Sequence, residues 1–293
     1  MSLFGRPDGE LVKDVSTLRR MMPFLMRSRN EAAVYFEQDI DVTHTLAFLD
    51  RINGEARREN QITFFHTMLA AYVRVLGERP RLNRFVVGKR LYQRTTIDLG
   101  FAVKKAYADD GGMTAVKVRF EADDTLERVA QRVDAQLLVG RGTAETSSEQ
   151  EMRWLNHLPR SALAGAVSLQ RALDHFNLLP AAMIDPDPLY SSMFLANLGS
   201  IGLDAAFHHL YEYGTTPIFV VIGQVKKTPV VREDGRIEAR DLVLVRYTLD
   251  ERIEDGYYCA RSLERFKALL TRPEALEGAS PRRPPHLRVA TGE

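Results

Sequence analysis

The segment ITFFHTMLAAYVRVLGERP, residues 62–80, limits the fold more than any other part of the chain. It is strongly apolar, and Gly77 and Pro80 at its end are residues that stop a helix. A helix that is apolar around its circumference is buried by other elements. We therefore expect a helix here in the interior of a domain.

Segments with strand and helix character alternate along the rest of the chain. Residues 32–42 and 237–250 have strand-like composition, and Asp234-Gly235 predicts a hairpin turn before the second of them. Residues 14–29 and 256–273 have apolar side chains at helical spacing. This alternation predicts an α/β domain with a large mixed sheet.

The two ends of the chain are predicted to lie outside that domain. Residues 1–13 are polar and are expected to form a flexible arm, and the domain itself is expected to span residues 14–273. Residues 274–293 contain Pro and Arg but few apolar side chains, which predicts a disordered tail.

Charge and cysteine content exclude several classes of protein. The 40 Lys and Arg nearly balance the 39 Asp and Glu, so no net field attracts nucleic acid. The single cysteine, Cys259, excludes an intramolecular disulfide and a cysteine-based zinc site, and no metal site is predicted. With no signal peptide and no membrane-spanning run, we expect a cytoplasmic protein.

Four blocks of the sequence resemble one enzyme family in the same order. They are LRRMMPFLMRSRNEAAVYFEQDIDVT, ERPRLNRFV, FLANLGSIG and LDERIEDGYYCARSLERFKALLTRP. The family is the catalytic domain of the dihydrolipoamide acyltransferase subunit of 2-oxoacid dehydrogenase complexes, which shares its fold with chloramphenicol acetyltransferase. The correspondence runs from about Leu18 to Pro273 and nearly from the start of the chain, so the chain resembles a stand-alone divergent member.

The resemblance implies both an architecture and a reaction. The implied fold is a two-layer mixed β-sheet with helices packed on it, assembled as a homotrimer or a multiple of trimers. Each active site lies between subunits and is shared by a strand-end loop of one and the terminal block of the next. In the family, a His is the general base on a thiol and a Ser hydroxyl donates to the oxyanion. Coenzyme A or acyl-coenzyme A is the implied ligand, with no covalently bound cofactor.

Two substitutions fall on these catalytic positions. Glu251 stands at the family His and Ala196 at the family Ser. An exposed carboxylate has a pKa near 4.3, far below the thiol value near 8.5, so Glu251 is a poor base unless burial raises its pKa. The lost hydroxyl costs about 3–4 kcal/mol of transition-state stabilisation in general. The stretch FAVKKAYADDGGMTAVKV also lacks the Gly-Leu-x-x-Pro of the family, which weakens the case for a coenzyme A site.

The remaining candidate residues lie in or near the same blocks. Glu251 and Asp255 are the catalytic candidates, with an ion pair between Glu251 and an Arg such as Arg252 as the alternative. His208 and His209 are weaker candidates for a substitute base, and the alternative for them is a partner contact and a core residue. The motif scaffold consists of Asp250, Arg252, Gly256, Asn197 and Gly199, with Ala196.

Residues 143–190 form a longer segment than the family has before its Asn-Leu-Gly strand. Its apolar part, 158–184, is interrupted only by Arg160, Arg171 and His175. Three placements are open for this helical insertion: on a membrane surface, over the substrate channel, or between subunits. A membrane-surface helix usually carries more Lys and Arg, so we expect the insertion to pack between subunits.

Two classes of function remain open from the sequence. The first is an acyltransferase that acts on a thioester with its His-based lipoyl transfer lost or altered. The second is a non-catalytic oligomeric scaffold or ligand-binding protein, a pseudoenzyme. The fold alone does not separate them, because function resides in the site.

Overall fold

The computed structural model describes residues 5–54, 61–104, 112–141, 157 and 159–279. The strands, in chain order, are β1 Gly9–Leu11, β2 Ala33–Asp41, β3 Arg84–Val87, β4 Arg90–Arg94, β5 Ile97–Lys104, β6 Met113–Phe120, β7 Met193–Asn197, β8 Ile218–Val231 and β9 Ile237–Asp250. The helices are α1 Thr17–Leu25, α2 Thr43–Asn53, α3 Phe64–Glu78, α4 Leu126–Arg141, α5 Arg160–His175, α6 Ala181–Ile184 and α7 Gly256–Thr271.

Most strands belong to one mixed sheet of six, in the order β2-β9-β8-β7-β5-β6. Strands β5, β7 and β8 are parallel neighbours, and the other pairs are antiparallel. A second sheet has the order β1-β4-β3. At the parallel centre, the carboxyl ends of β5 and β7 lie beside the middle of β8, and ligands commonly bind outside the carboxyl ends of strands in open α/β sheets.

The side chains of β8 show how the layers are built. Ile218, Val220 and Ile222 belong to the main core, which the sheet shares with α2, α3, α4 and α7. Phe219 and Val221 belong to a smaller cluster on the opposite face. Because successive side chains of a strand point to opposite faces, these four helices cover one face of the sheet. The predicted mixed sheet with helices packed on it is confirmed.

The apolar segment at residues 62–80 forms α3, and the helix is buried as predicted. Met68, Leu69 and Leu76 have no exposed surface. The ring of Tyr72 stacks on Phe266 of α7 with centroids 4.0 Å apart. Helix α3 is therefore the centre of the helical layer.

The expectation of a flexible N-terminal arm is wrong for the residues that the structure describes there. β1 pairs with β4. Asp8 is buried, with Arg6 Nε 2.8 Å and Arg94 Nη1 3.3 Å from its carboxylate oxygens. Three residues are too few for a strand pattern to be visible, and it is this pairing with buried arginines that holds the segment on the domain.

The insertion contains two helices rather than one continuous helix. After α5 the chain turns at Asn177, whose φ is +60°, and α6 starts after Pro180. A proline and a left-handed residue both interrupt helical hydrogen bonding, which separates the two helices. Residues 142–156 and 158, the polar first part of the predicted insertion, lie outside the described residues.

The predicted boundary of the C-terminal tail is too early. Residues Pro273–Leu276 form a 3-10 turn, and the side chain of Leu276 is 1% exposed. Arg74 donates to the carbonyl of Ala275 at 3.1 Å. One apolar side chain and one arginine therefore hold the chain on the domain beyond residue 273, and residues 280–293 lie outside the described residues.

Candidate functional site

A buried ion pair fixes the turn that follows β9. Arg252 places Nε 2.8 Å from Oδ1 and Nη2 2.7 Å from Oδ2 of Asp250. Both side chains are at most 5% exposed. Arg252 Nη1 also donates to the carbonyl of Met26 at 3.3 Å, so the pair joins the turn to the end of α1.

Glu251 is held at this turn by its backbone. Its amide donates to the carbonyl of Ala32 at 2.9 Å, and its carbonyl accepts from Arg19 Nη1 at 2.7 Å. The expected ion pair with Arg252 is wrong, because Asp250 already occupies that guanidinium. The half-buried Glu251 carboxylate makes no ion pair with any described residue.

The ion-paired carboxylate of this turn is Glu254, which sequence reasoning missed. It is 5% exposed, and Arg84 Nη1 lies 2.8 Å from its Oε2. Arg19 and Arg81 each place a guanidinium nitrogen 3.7 Å from the carboxylate. Its partners come from α1, from the 3-10 turn Pro80–Asn83 and from the first residue of β3, and only the tertiary fold brings these elements together here.

Asp255 caps helix α7 and is exposed. Its Oδ1 accepts from the backbone amide of Tyr258 at 2.8 Å, and this hydrogen bond chiefly holds the pKa of Asp255 below its ordinary value. No described arginine donates to it. Gly256 is the first residue of the helix, and its position has open space around it.

The strand-end motif lies at the end of β7. Asn197 Oδ1 accepts from the amide of Ser200 at 3.2 Å, and Ser200 Oγ donates to the Asn197 carbonyl at 2.7 Å. Gly199 is required there, because a Cβ would lie 2.5 Å from the carbonyl oxygen of Gly223 on β8. Ala196 is half-buried and packs against the smaller apolar cluster.

A cavity of about 770 Å³ opens beside the strand-end motif. It is lined by the ends of β5 and β7, by the middle of β8, and by residues at the start of α3 and in α4. The lining includes Lys104, Asn197, Gly199, Ser200, Gln224, His66 and Asp134. Its size suits a small-molecule ligand.

The wall of this cavity contains a histidine that sequence reasoning missed. His66 is 3% exposed, its Nδ1 accepts from the amide of Thr63 at 3.2 Å, and its Nε2 lies 3.3 Å from Asp134 Oδ1. Burial lowers the pKa of His66, while Asp134 acts in the opposite direction. Both ring nitrogens are therefore engaged. The available signal was Thr63, three residues before His66 at a helix start, which is the spacing of a capping box.

His208 and His209 are not among the residues that line this cavity. They lie in a segment without regular secondary structure rather than in a helix. The ring of His208 stacks on Phe219 with centroids 3.8 Å apart, and burial lowers its pKa. His209 is exposed. The ring of His208 therefore lies on the same apolar cluster as Ala196, with its Nδ1 2.6 Å from the His209 carbonyl oxygen.

The two motif blocks lie toward opposite ends of the strands of the sheet within one chain. Ala196 pairs with Val221, three positions from Ile218 along β8, and Ile218 pairs with Leu249. Glu251 lies two positions beyond Leu249, so the two residues are separated by roughly 16 Å along the strands at 3.3 Å per residue. A single chain does not bring Glu251 and Ala196 together.

The described residues include no candidate metal centre and no candidate membrane span. No cluster of three or more His, Cys, Asp or Glu side chains suited to a metal ion occurs in the described ranges. None of the helices in the described part of the chain has the length and apolarity to cross a bilayer.

Comparison with known proteins identifies the family. Residues 9–153 and 187–277 match the model of the 2-oxoacid dehydrogenases acyltransferase (catalytic domain). The lipoamide acyltransferase component of the branched-chain alpha-keto acid dehydrogenase complex of Bacillus subtilis (strain 168) is 22% identical over 250 residues. That alignment covers 84% of this chain and 48% of the relative, so the chain spans about half the length of the curated relative it matches.

Solved structures show the same fold. A probable dihydrolipoamide acetyltransferase from Listeria monocytogenes 4b F2365 is similar with a TM-score of 0.56 and 17% identity, over 90% of this chain and 95% of that one. A chloramphenicol acetyltransferase is similar with a TM-score of 0.51 and 12% identity, over 89% of this chain and 99% of that one. The predicted chloramphenicol acetyltransferase-like fold and the family resemblance are both confirmed: the chain belongs to the 2-oxoacid dehydrogenase acyltransferase catalytic-domain family.

Proposed function

We propose that this chain binds an acyl thioester in the manner of its family but does not carry out the conventional histidine-based lipoyl transfer. The observation that carries the proposal is the pair of side chains at the two catalytic positions. Glu251 presents a carboxylate and Ala196 a methyl group. A weak base and a missing oxyanion donor remove both groups on which the usual mechanism depends.

Neighbouring groups do not replace the two that are missing. The Ser200 hydroxyl belongs to the same strand-end motif, but it gives its proton to the Asn197 carbonyl. His66 uses one ring nitrogen to accept from Thr63 and directs the other toward Asp134. A general base needs a free lone pair within reach of the substrate, and His66 has none in this arrangement.

The proposed assembly is a homotrimer or a multiple of trimers. Two observations support it. Glu251 and Ala196 lie toward opposite ends of the strands of one sheet, and the family resemblance implies a site between subunits. A second copy is then needed to bring a terminal block to a strand-end motif. Light scattering at micromolar concentration tests this, and a stable monomer contradicts it.

The proposed ligand is coenzyme A or an acyl-coenzyme A in the 770 Å³ cavity. The cavity has room for an extended thioester arm, and it lies beside Asn197 and Gly199 of the strand-end motif. The sequence lacks the Gly-Leu-x-x-Pro that the family has after the strand equivalent to β5. Residues 105–111, which follow β5, lie outside the described residues. Equilibrium binding of acetyl-coenzyme A tests this assignment.

A non-catalytic scaffold is the second candidate function. It is favoured by the exposed apolar side chains on the face of the sheet opposite the helices, where Leu203 and Phe207 are 53% and 48% exposed. Exposed apolar side chains in one region mark interaction surfaces. The scaffold predicts stable trimers that bind no acetyl-coenzyme A.

Restoring the two family residues tests the proposal. We expect Glu251→His together with Ala196→Ser to give measurable acetyl transfer from acetyl-coenzyme A to dihydrolipoamide. An oxyanion donor contributes about 10²–10³-fold and a general base about 10²–10⁴-fold, so each single variant should be far less active than the double variant. Glu233→His, in the exposed hairpin, is the matched control for adding a histidine.

A double variant that binds acetyl-coenzyme A and forms trimers but shows no transfer contradicts the idea that only these two groups have been lost. Equal activity in the double variant and in the Glu233→His control contradicts it as well.

A further inference from the structure

A second cavity, of about 460 Å³, lies on the other side of the domain from the strand-end motif. It is bordered by the end of α1, the β3–β4 turn, the insertion helix α5 and the turn after β9. Its cationic lining residues are Arg27, Arg29, Lys89, Arg171 and Arg252, and its acidic ones are Asp174 and Glu212. The whole chain has a net charge of only +1, so this excess of positive charge is local.

The two carboxylates are already engaged by other donors. Asp174 Oδ1 lies 2.8 Å from Arg6 Nη1, outside the cavity lining. Glu212 accepts from the backbone amides of Arg29 and Asn30 at 3.3 and 3.0 Å. Arg252 is paired with Asp250, and Arg27 Nε lies 3.9 Å from Glu31 Oε2, so the uncompensated positive charge at the cavity comes from the other three cations.

Several of the cations have no carboxylate partner. Arg171 makes no ion pair or hydrogen bond with the described residues, and the Lys89 ammonium lies over the Phe24 ring, 4.9 Å from its centroid. Arg29 is 6% exposed, and its guanidinium donates to the carbonyls of Tyr211 and Gly214 rather than to an acid. Burial lowers its pKa, as expected for a cation with incomplete charge compensation.

The insertion is what brings these cations together. Gly88 and Lys89 both have positive φ, +56° and +59°, and form the tight turn of the β3–β4 hairpin. A Cβ at Gly88 would lie 2.3 Å from the carbonyl oxygen of His175, so the hairpin tip packs directly on the end of α5. This contact places Lys89 and Arg171 on the same cavity.

The insertion is also anchored to the domain. Arg6 bonds Asp174 at the end of α5, and Asn177 Nδ2 donates to the Tyr92 hydroxyl at 2.9 Å. Residues 154–186 lie outside the ranges that match the family model. Arg171, Asp174 and His175 therefore complete a cavity that the matched family ranges do not supply on their own.

We propose that this cavity binds the phosphate group of a small anionic molecule. Free guanidinium and ammonium groups around a recess are the donors that phosphate oxygens require, and guanidinium in particular matches them with two parallel hydrogen bonds. The volume lies in the range of small-molecule sites rather than of macromolecular interfaces. The proposal does not depend on the proposed thioester function, because the two cavities share no lining residue.

Calorimetric titration of the full chain with inorganic pyrophosphate tests the site. We expect saturable binding that weakens as NaCl rises from 50 to 500 mM, because salt screens the attraction. Arg171→Ala and Lys89→Asn should each weaken binding by roughly tenfold or more, since each removes a charge-assisted contact. Asparagine is chosen at Lys89 because it tolerates positive φ. Arg160→Ala, on the same helix but outside the cavity lining, should bind as the wild type does.

A parallel titration with coenzyme A, in the wild type and in Arg171→Ala, identifies the source of the phosphate. Loss of coenzyme A affinity in Arg171→Ala assigns the site to the phosphates of that molecule, and unchanged affinity assigns it to a separate phosphorylated metabolite. Both results support the site when pyrophosphate binding is also lost.

The alternative is that these cations only stabilise the carboxyl end of α5, where a helix dipole favours positive charge. In that case Arg171→Ala lowers the melting temperature and leaves pyrophosphate affinity unchanged, or the wild type does not bind pyrophosphate at all. Either outcome overturns the proposal.

Discussion

Replacing Arg252 with leucine removes the guanidinium that compensates a buried carboxylate. Asp250 is 1% exposed, and Arg252 contacts both of its oxygens at 2.8 and 2.7 Å. Removing one partner of a buried pair costs about 3–5 kcal/mol of unfolding free energy. Asp250 keeps the hydrogen bond from the backbone amide of residue 252, 3.1 Å long, so we expect a cost near the lower limit, about 3 kcal/mol.

Urea denaturation at one fixed protein concentration measures this cost, since an oligomer unfolds in a concentration-dependent way. Arg236→Leu is the matched control, because Arg236 pairs with Asp234 at 2.6 Å but is 78% exposed and should cost at most about 1 kcal/mol. Adding Asp250→Asn to Arg252→Leu should recover part of the loss by removing the uncompensated charge. A cost no larger than that of the control, or no recovery, refutes the reasoning.

Three further predictions concern the ends of the chain and its cysteine. Burial alone would raise the pKa of Asp8, but the charges of Arg6 and Arg94 outweigh burial and lower it. The Asp8 carboxylate is therefore protonated at a higher pH in the unfolded chain than in the folded one. This stabilisation is complete above about pH 4 and is lost as pH falls through the lowered pKa of the folded state. Asp8→Asn should therefore make the free energy of unfolding, measured by urea denaturation, depend less on pH in acid. An unchanged pH dependence contradicts the assignment. Truncation after residue 279 should leave the melting temperature nearly unchanged. Truncation after residue 272 should lower it by several degrees, because it removes the buried side chain of Leu276. Equal melting temperatures of the two truncated proteins would show that the turn at residues 273–276 contributes nothing to stability. Burial raises the pKa of the Cys259 thiol to about 12, so a thiol reagent at pH 8 should label it only after unfolding, and rapid labelling of the folded protein contradicts its burial.

Patterns that depend on neighbours in sequence predicted much of the fold. The apolar spacing of residues 62–80 predicted a buried helix, and α3 is one. Asp234-Gly235 predicted the turn between the two longest strands, and Gly235 has φ of +81° there. Both features are set by local backbone preference and by the amount of apolar surface, which the sequence states directly.

Features that depend on distant partners were missed. β1 is three residues long and is defined by its pairing with β4 and by the burial of Asp8 against Arg94. Leu276 is one apolar residue in a polar segment, and its burial requires the pocket formed by the helical layer. No periodicity exists in either segment, so no local pattern could reveal them.

The candidate site shows the same division. The order of the motif residues located Glu251 and Ala196, but it did not show that they lie toward opposite ends of the strands of the sheet. Asp134, which contacts His66, is 68 positions away in the sequence, and the pair exists only because α4 packs beside α3. Residue types predict which groups are available, and the fold decides which of them meet.

The most direct test of the account is the rate of acetyl transfer from acetyl-coenzyme A to dihydrolipoamide by the wild-type protein, measured beside Glu251→Gln. Glutamine keeps the shape of the side chain but cannot accept a proton. The account predicts no transfer above the uncatalysed rate in either protein, while both remain folded and assembled. Transfer by the wild type that disappears in Glu251→Gln contradicts the account, because it shows that Glu251 acts as the base.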